Sequence, residues 1–192
     1  SEMCIRDRPY VEVDGYGAYL LETEVISDIA VDGANRKWIG TSNGVWLMSP
    51  DGTEPIAYFT TENSPLLSNN VLSIGIEDAS GEVFIGTELG IVSYKGSATS
   101  GSFLHDEAFV YPNPVRPEYK GDIAIKGLAE NAYVKITDVQ GTLMYETRAL
   151  GGQAVWNGND YTGRRAATGV YLVFSSNRDG TDNIVAKVAI VN

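Results

Sequence analysis

Trp38-Ile39-Gly40-Thr41-Ser42-Asn43-Gly44 returns 46 residues later as Phe84-Ile85-Gly86-Thr87-Glu88-Leu89-Gly90. The flanks return with it. Ile29-Ala30-Val31-Asp32 matches Ile74-Gly75-Ile76-Glu77 at an offset of 45, and Gly44-Val45 matches Gly90-Ile91 at 46. One extra residue in the intervening turn, Asp78-Ala79-Ser80-Gly81 against Gly33-Ala34-Asn35, accounts for the change. A match that survives an insertion inside a turn is a repeat of structure. Each copy reads strand, tight turn, strand, tight turn, strand. Ile29 and Val31 alternate, as do Ile74 and Ile76, so each pair points one way. The Gly/Asn turns suit hairpins that need positive φ. Gly40 and Gly86 inside the second strand signal close packing or a kink, and Gly44 and Gly90 close the second hairpin. A fourth strand fits Ile56-Ala57-Tyr58-Phe59-Thr60. Four strands in roughly 45 residues make the size of a β-propeller blade.

These residues resemble the two-component regulator propeller repeat. Trp38, Gly40, Thr41 and Gly44 match its "Trp-Ile-Gly-Thr-x-x-Gly" core, and Leu67-Ser68-Asn69-Asn70-Val71 matches the linker that leads into the next blade. The second copy keeps Gly86, Thr87 and Gly90 but has Phe84 for Trp. The resemblance covers residues 25 to 96 and implies incomplete propeller blades over 9–96. Closure takes about 4 to 8 blades, and Tyr10 to Leu21 reads as the tail of a preceding one. The chain is therefore expected to be the C-terminal fragment of a longer protein.

The 192 residues are 43% hydrophobic, with 21 Gly, 11 Tyr and a net charge of -11. That composition is globular and rich in short strands and turns. No apolar run approaches the ~18 residues of a membrane helix. Net negative charge repels phosphate backbones, so nucleic acid is an unfavourable partner. The charge is uneven: residues 9 to 107 hold 15 acids and 3 bases, and 108 to 192 hold 8 acids and 9 bases. Two modules joined near 96–107 explain the break. The octet Ser1-Glu2-Met3-Cys4-Ile5-Arg6-Asp7-Arg8 resembles a translated sequencing adaptor, and 1–8 is read as an assembly artefact. It holds the only Cys, so no disulfide or thiolate metal site is expected.

Lys95-Gly96-Ser97-Ala98-Thr99-Ser100-Gly101-Ser102 is Gly/Ser/Thr-rich, so 97–107 is expected to be a flexible linker. Beyond it, seven short strand-like runs separated by turn residues predict an immunoglobulin-like β-sandwich over 108–192. The fold class is thus all-β: incomplete propeller blades followed by a sandwich.

The second half closely resembles the C-terminal sorting domain of the type IX secretion system of Bacteroidetes. Matches run in order: Tyr111-Pro112-Asn113-Pro114; the strand and turn ending at Asp138 and Gly141; Trp156-Asn157-Gly158-Asn159-Asp160-Tyr161-Thr162-Gly163; Gly169-Val170-Tyr171; and a terminal strand carrying Lys187. Asn157 stands where the family usually has Asp. The resemblance implies export across the outer membrane to the cell surface, type IX translocon and attachment-complex proteins as partners, and anionic lipopolysaccharide as a ligand. Blades followed by such a domain resemble a surface component of the attachment complex. A cargo tail of a secreted hydrolase or adhesin, and the sensor module of a hybrid two-component system, stay open as alternatives.

Candidates for chemistry are few. His105, the only His, sits beside Asp106 and Glu107 and reads as a solvated linker residue. Asn157-Gly158-Asn159-Asp160 reads as a turn, because no Glu closes a calcium loop. Asp32, Asp51, Glu77 and Asp78 fall at strand ends, where acids usually face water. Tyr10, Tyr16, Tyr19, Tyr58 and Tyr94 suggest a glycan platform or ordinary blade core. No phosphate loop occurs. The expectation is a non-catalytic protein with no cofactor and no metal.

Overall fold

The computed structural model describes residues 10–13 and 16–192; the octet 1–8 lies outside the described residues. The chain divides into two compact units. One comprises Ser1–Glu77 and Glu82–Lys95, the other Asp78–Gly81 and Gly96–Asn192. All sheets are antiparallel, and no helix occurs among the described residues.

In the first unit β1 (Tyr10–Val13) pairs with β2 (Tyr16–Tyr19) as a separate hairpin. The first repeat forms a four-stranded meander: β3 (Ile26–Val31), β4 (Lys37–Thr41), β5 (Gly44–Met48) and β6 (Pro55–Phe59). The second forms three strands: β7 (Val71–Glu77), β8 (Glu82–Thr87) and β9 (Gly90–Lys95). The two copies share detail beyond strand order. A register shift falls at Ile26/Asp28 and again at Val71/Ser73. Thr41 donates its hydroxyl to the Gly44 carbonyl at 3.0 Å, and Thr87 to that of Gly90 at 2.9 Å. Gly44 and Gly90 hold φ of 139° and 133°, a region L side chains avoid. The recurring Thr-x-x-Gly is therefore a hairpin closure.

The sheets meet through Trp38, Val45, Leu47, Val71, Ile74, Val83 and Ile85. Gly40 lets them approach: a Cβ there would come within 2.8 Å of Val71 Cγ1. The copies share register but not environment. Trp38 is fully buried, stacked on Phe59 at 5.7 Å and against Tyr94 at 5.6 Å, while its counterpart Phe84 is 43% exposed. Ile29 and Val31 face out, and Ile74 is buried.

The second unit is a seven-stranded sandwich. Its sheets run β10 (Phe109–Tyr111), β11 (Ile123–Lys126), β14 (Gln153–Trp156), and β13 (Leu143–Arg148), β12 (Tyr133–Asp138), β15 (Gly169–Ser176), β16 (Asn183–Ile190). Chain connections cross between sheets three times, after β11, β13 and β14. Inward alternation supplies the core: Ile123, Ile125, Val134, Ile136, Val173 and Val188 from the strands, sealed by Trp156 and Tyr171. The stretch read as a linker lies along this unit. Thr99 bridges Gly151, Ser102 bridges Ala129, and the Ser100 N–H donates to the Asp78 carbonyl at 2.8 Å.

Candidate functional site

The blade motif has a carboxylate at its centre. Asp32 Oδ2 accepts from Arg36 Nε at 2.8 Å and from the Trp38 indole N–H at 3.1 Å. Its Oδ1 accepts the backbone N–H groups of Ala34 at 3.0 Å and Arg36 at 3.1 Å. All three side chains are buried. The expectation that Asp32 faces water is therefore corrected. A turn Asp followed six residues later by a Trp, the second residue of the next strand, places the indole N–H on the carboxylate. Phe84 has no N–H to offer, so the second copy builds no such hub.

The sandwich motifs converge on two places. At the first, Asn113 acts as a short piece of strand. Its Nδ2 donates to the Lys187 carbonyl at 2.9 Å, and its Oδ1 accepts the Ala189 N–H at 3.0 Å. Val115 continues the pairing, donating to the Ala189 carbonyl at 2.8 Å and accepting from Val191 at 2.9 Å. Pro112 and Pro114, both after cis peptide bonds, flank the clamp; Tyr111 beside it is exposed. The clamp covers the outer edge of β16, which otherwise offers unpaired donors and acceptors. Asn113→Ala removes two hydrogen bonds and lowers the sandwich's unfolding free energy by about 1–2 kcal/mol, read by urea titration. No change would show the edge needs no cover.

The second place is the Trp156 to Gly163 loop. The Trp156 indole donates to the Asn159 carbonyl at 2.8 Å and meets Tyr171 edge-on at 5.7 Å. Tyr171 donates its hydroxyl to the Ala167 carbonyl at 2.9 Å, the tyrosine-corner arrangement of immunoglobulin-like sandwiches; burial pushes its phenol pKa up. Gly158 has φ of +75°, and a Cβ there would collide with the Arg165 guanidinium. Asp160 turns the chain by accepting from Thr162 and Arg164 N–H groups at 2.8 and 3.0 Å, with Gly163 closing back onto it at 2.9 Å. Asn157-Gly158-Asn159-Asp160 is thus built as a turn. Asp138 does the same job at the β12–β13 hairpin, accepting from Gln140 and Thr142, with Gly141 donating back to its carbonyl at 3.1 Å. Gly169 opens β15, and Lys187 stands exposed on β16.

His105 corrects a second expectation. Its ring is 2% exposed and fully partnered. Nδ1 lies 2.8 Å from Asp182 Oδ2 and Nε2 2.8 Å from Ser175 Oγ, and the His105 backbone N–H donates to the same Oδ2 at 2.6 Å. The order carboxylate, imidazole, hydroxyl is that of a hydrolytic triad. Here the Ser175 residue is buried, so its hydroxyl has no open face for an acyl substrate, and the trio works as a clip. Nothing local in the sequence signals it, because its partners lie 70 and 77 residues away. Among the described residues no group of three His, Cys, Asp or Glu is placed to hold a metal. Of the tyrosines, Tyr58 stacks on Trp46 at 4.0 Å and Tyr94 packs with Trp38 and Phe59. The two belong to separate stacks and form no common platform.

These turns and clips carry an acid sensitivity. Hydrogen bonds from the His105 N–H and ring hold the Asp182 carboxyl below its ordinary range. The Thr142 N–H does so for Asp138, and the Thr162 hydroxyl for Asp160. In the first unit the Ser49 hydroxyl leads in lowering Asp51 from 3.8 to about 2. A depressed folded pKa stabilises above the unfolded value and loses that contribution as pH falls through the folded one. Thermal stability should therefore fall below about pH 4, and Asp182→Ala should flatten that fall for the sandwich. An acid limb identical in the variant would refute the assignment.

No family model matches this chain, and no curated protein matches it. Among solved structures it is similar to PorZ, described as an essential bacterial surface component of the type IX secretion system of Porphyromonas gingivalis. The identity is 38% over 97% of this chain, with a TM-score of 0.62. The chain spans 25% of that structure's length. The extracellular domain of a putative one-component system from B. thetaiotaomicron overlaps 92% of this chain and 27% of its own at 13% identity and a TM-score of 0.32. A putative hybrid two-component system from the same organism gives 13% identity over 89% of this chain and 38% of its own, with a TM-score of 0.29. Similarity that low carries neither fold nor function.

Proposed function

We propose that this chain belongs to a cell-surface component of a type IX secretion system and works by recognition. In this reading the sandwich, 108–192, is the sorting domain, the folded address for export and attachment, and the blades are a binding scaffold. The observation that carries it is the 38% identity to PorZ across 97% of the chain, over both units. The ordered sandwich motifs support it. They are spent on edge cover, turns and core, which suits a domain read by its shape. Its partners are translocon and attachment-complex proteins, with anionic lipopolysaccharide as a ligand. Deleting residues 108–192 in a type IX-secreting host should abolish surface delivery, measured by antibody on intact cells. Unchanged delivery would sink the reading.

A further inference from the structure

Sheets that face water on one side normally alternate apolar-in and polar-out. The sheet of β12, β13, β15 and β16 departs from that rule on its outer face. Register puts Lys135, Phe174 and Val185 in one row across it, with Tyr133 in the next. Val185 is 54% exposed and Phe174 42%, with Val170 and Tyr133 similarly open. Around this apolar centre stand Lys135, Lys187 and Arg148, against one outward carboxylate on these strands, Glu146, opposite Lys135. Arg148 is already held in place: its guanidinium lies 4.0 Å over the Tyr133 ring and hydrogen-bonds the Tyr133 hydroxyl. A cation fixed before binding costs little entropy to use.

We propose that this outer face docks a partner protein whose contact surface has an apolar centre rimmed by carboxylates. An apolar centre with a charged rim is the anatomy of a protein interface, and charge decides the occupant. A second copy stacked on the same face would set three cations against three, a juxtaposition that costs several kcal/mol. A nucleic acid would meet a chain of net charge -11. A sugar chain needs hydrogen bonds, which Val170, Leu172 and Val185 do not supply. The argument stands on this face alone and needs no export route.

The test places a photo-crosslinking benzoylphenylalanine at 185 in the full chain, with a control at 161 on an exposed loop. Irradiated host cells are analysed by mass spectrometry of the crosslinked peptides. The expected result is a crosslink from 185, not 161, to one identified protein segment of net negative charge. It should fall at least about tenfold in Lys135→Glu/Lys187→Glu, equivalent to about 1.4 kcal/mol. Both lysines are exposed, so a melting curve matching the parent's shows the variant folds; if it does not, Lys135→Gln/Lys187→Gln replaces it. A crosslink to another copy of this chain, to elsewhere in the same chain, to glycan alone, one insensitive to the lysines, or none overturns the proposal. Surface delivery is scored on the same cells. Delivery that needs 108–192 without the crosslink defeats docking and leaves the export reading standing.

Discussion

Trp156→Ala should cost the sandwich about 3–5 kcal/mol. That is a large part of the roughly 5–15 kcal/mol that holds a domain of this kind. Trp156, the last residue of β14, is fully buried in the sandwich core. Truncation leaves a cavity against Ile123 and Tyr171 in a close-packed core, where neighbours collapse only partly. It also deprives the Asn159 carbonyl of its indole donor, which loosens the turn through Asp160. Trp156→Phe keeps most of the volume and loses the N–H, so about 1–2 kcal/mol is expected. Trp38 and Trp46 lie in the first unit, so fluorescence of the variant follows that unit and circular dichroism follows the whole. The expected trace has a sandwich transition moved far down in urea and a blade transition in place. A loss under about 1 kcal/mol would mean that the sandwich is not built around this ring.

Asp32→Ala should destabilise the first unit by about 3–5 kcal/mol, the cost of breaking a buried ion pair from one side. Four donors converge on this carboxylate. Its removal takes the acceptor from the Trp38 indole N–H and the carboxylate at 2.8 Å from the buried Arg36 guanidinium. Desolvation explains why the one-sided change is so costly: the charge left behind must be solvated or displaced. It follows that Asp32→Ala/Arg36→Met should recover part of the loss, since a buried pair replaced by apolar groups is often near neutral. Asp32→Asn, which keeps an acceptor, should fall between. Equal stability of the single and double variants would refute the pair as the source. Trp38→Phe makes the first copy resemble the second at this position, and it should cost less than Asp32→Ala because the charges stay matched.

Much of this architecture is legible in the residues alone. The sandwich strands fall within about two residues of the runs read from alternation and turn residues, the ordinary margin for such boundaries. The Gly44 and Gly90 hairpins are visible because positive φ leaves a mark in residue type. Asp138 and Asp160 are visible as turns because short acceptors bond donors only two to four residues on. Asp32 was half legible. Its spacing from Trp38 was in the pattern, but burial was not, since burial depends on Phe59 and Tyr94 closing over the indole.

His105 and Asn113 mark where local reading ends. His105 is followed by two acids and preceded by Phe103-Leu104 at the end of a Gly/Ser run, a context that reads as a tether and names no partner. Its actual partners arrive when β15 and β16 close the second sheet. Asn113 looks like a turn residue between prolines, and its bonds reach 74 and 76 residues along the chain.

The sequence by itself determined which segments are strands, where they turn, that two copies of one unit precede a different sandwich, and that charge divides with them. Each is a short-range property, set by periods of two residues and by φ preferences at single positions. Only the tertiary structure decided which repeated ring is buried, that the lone histidine is a clip, that an asparagine seals the edge of β16, and that one sheet face stays apolar and basic. Those outcomes depend on contacts between residues from separate segments, up to 77 apart in the chain, whose meeting is set by sheet register and packing and leaves no trace in the neighbouring residues.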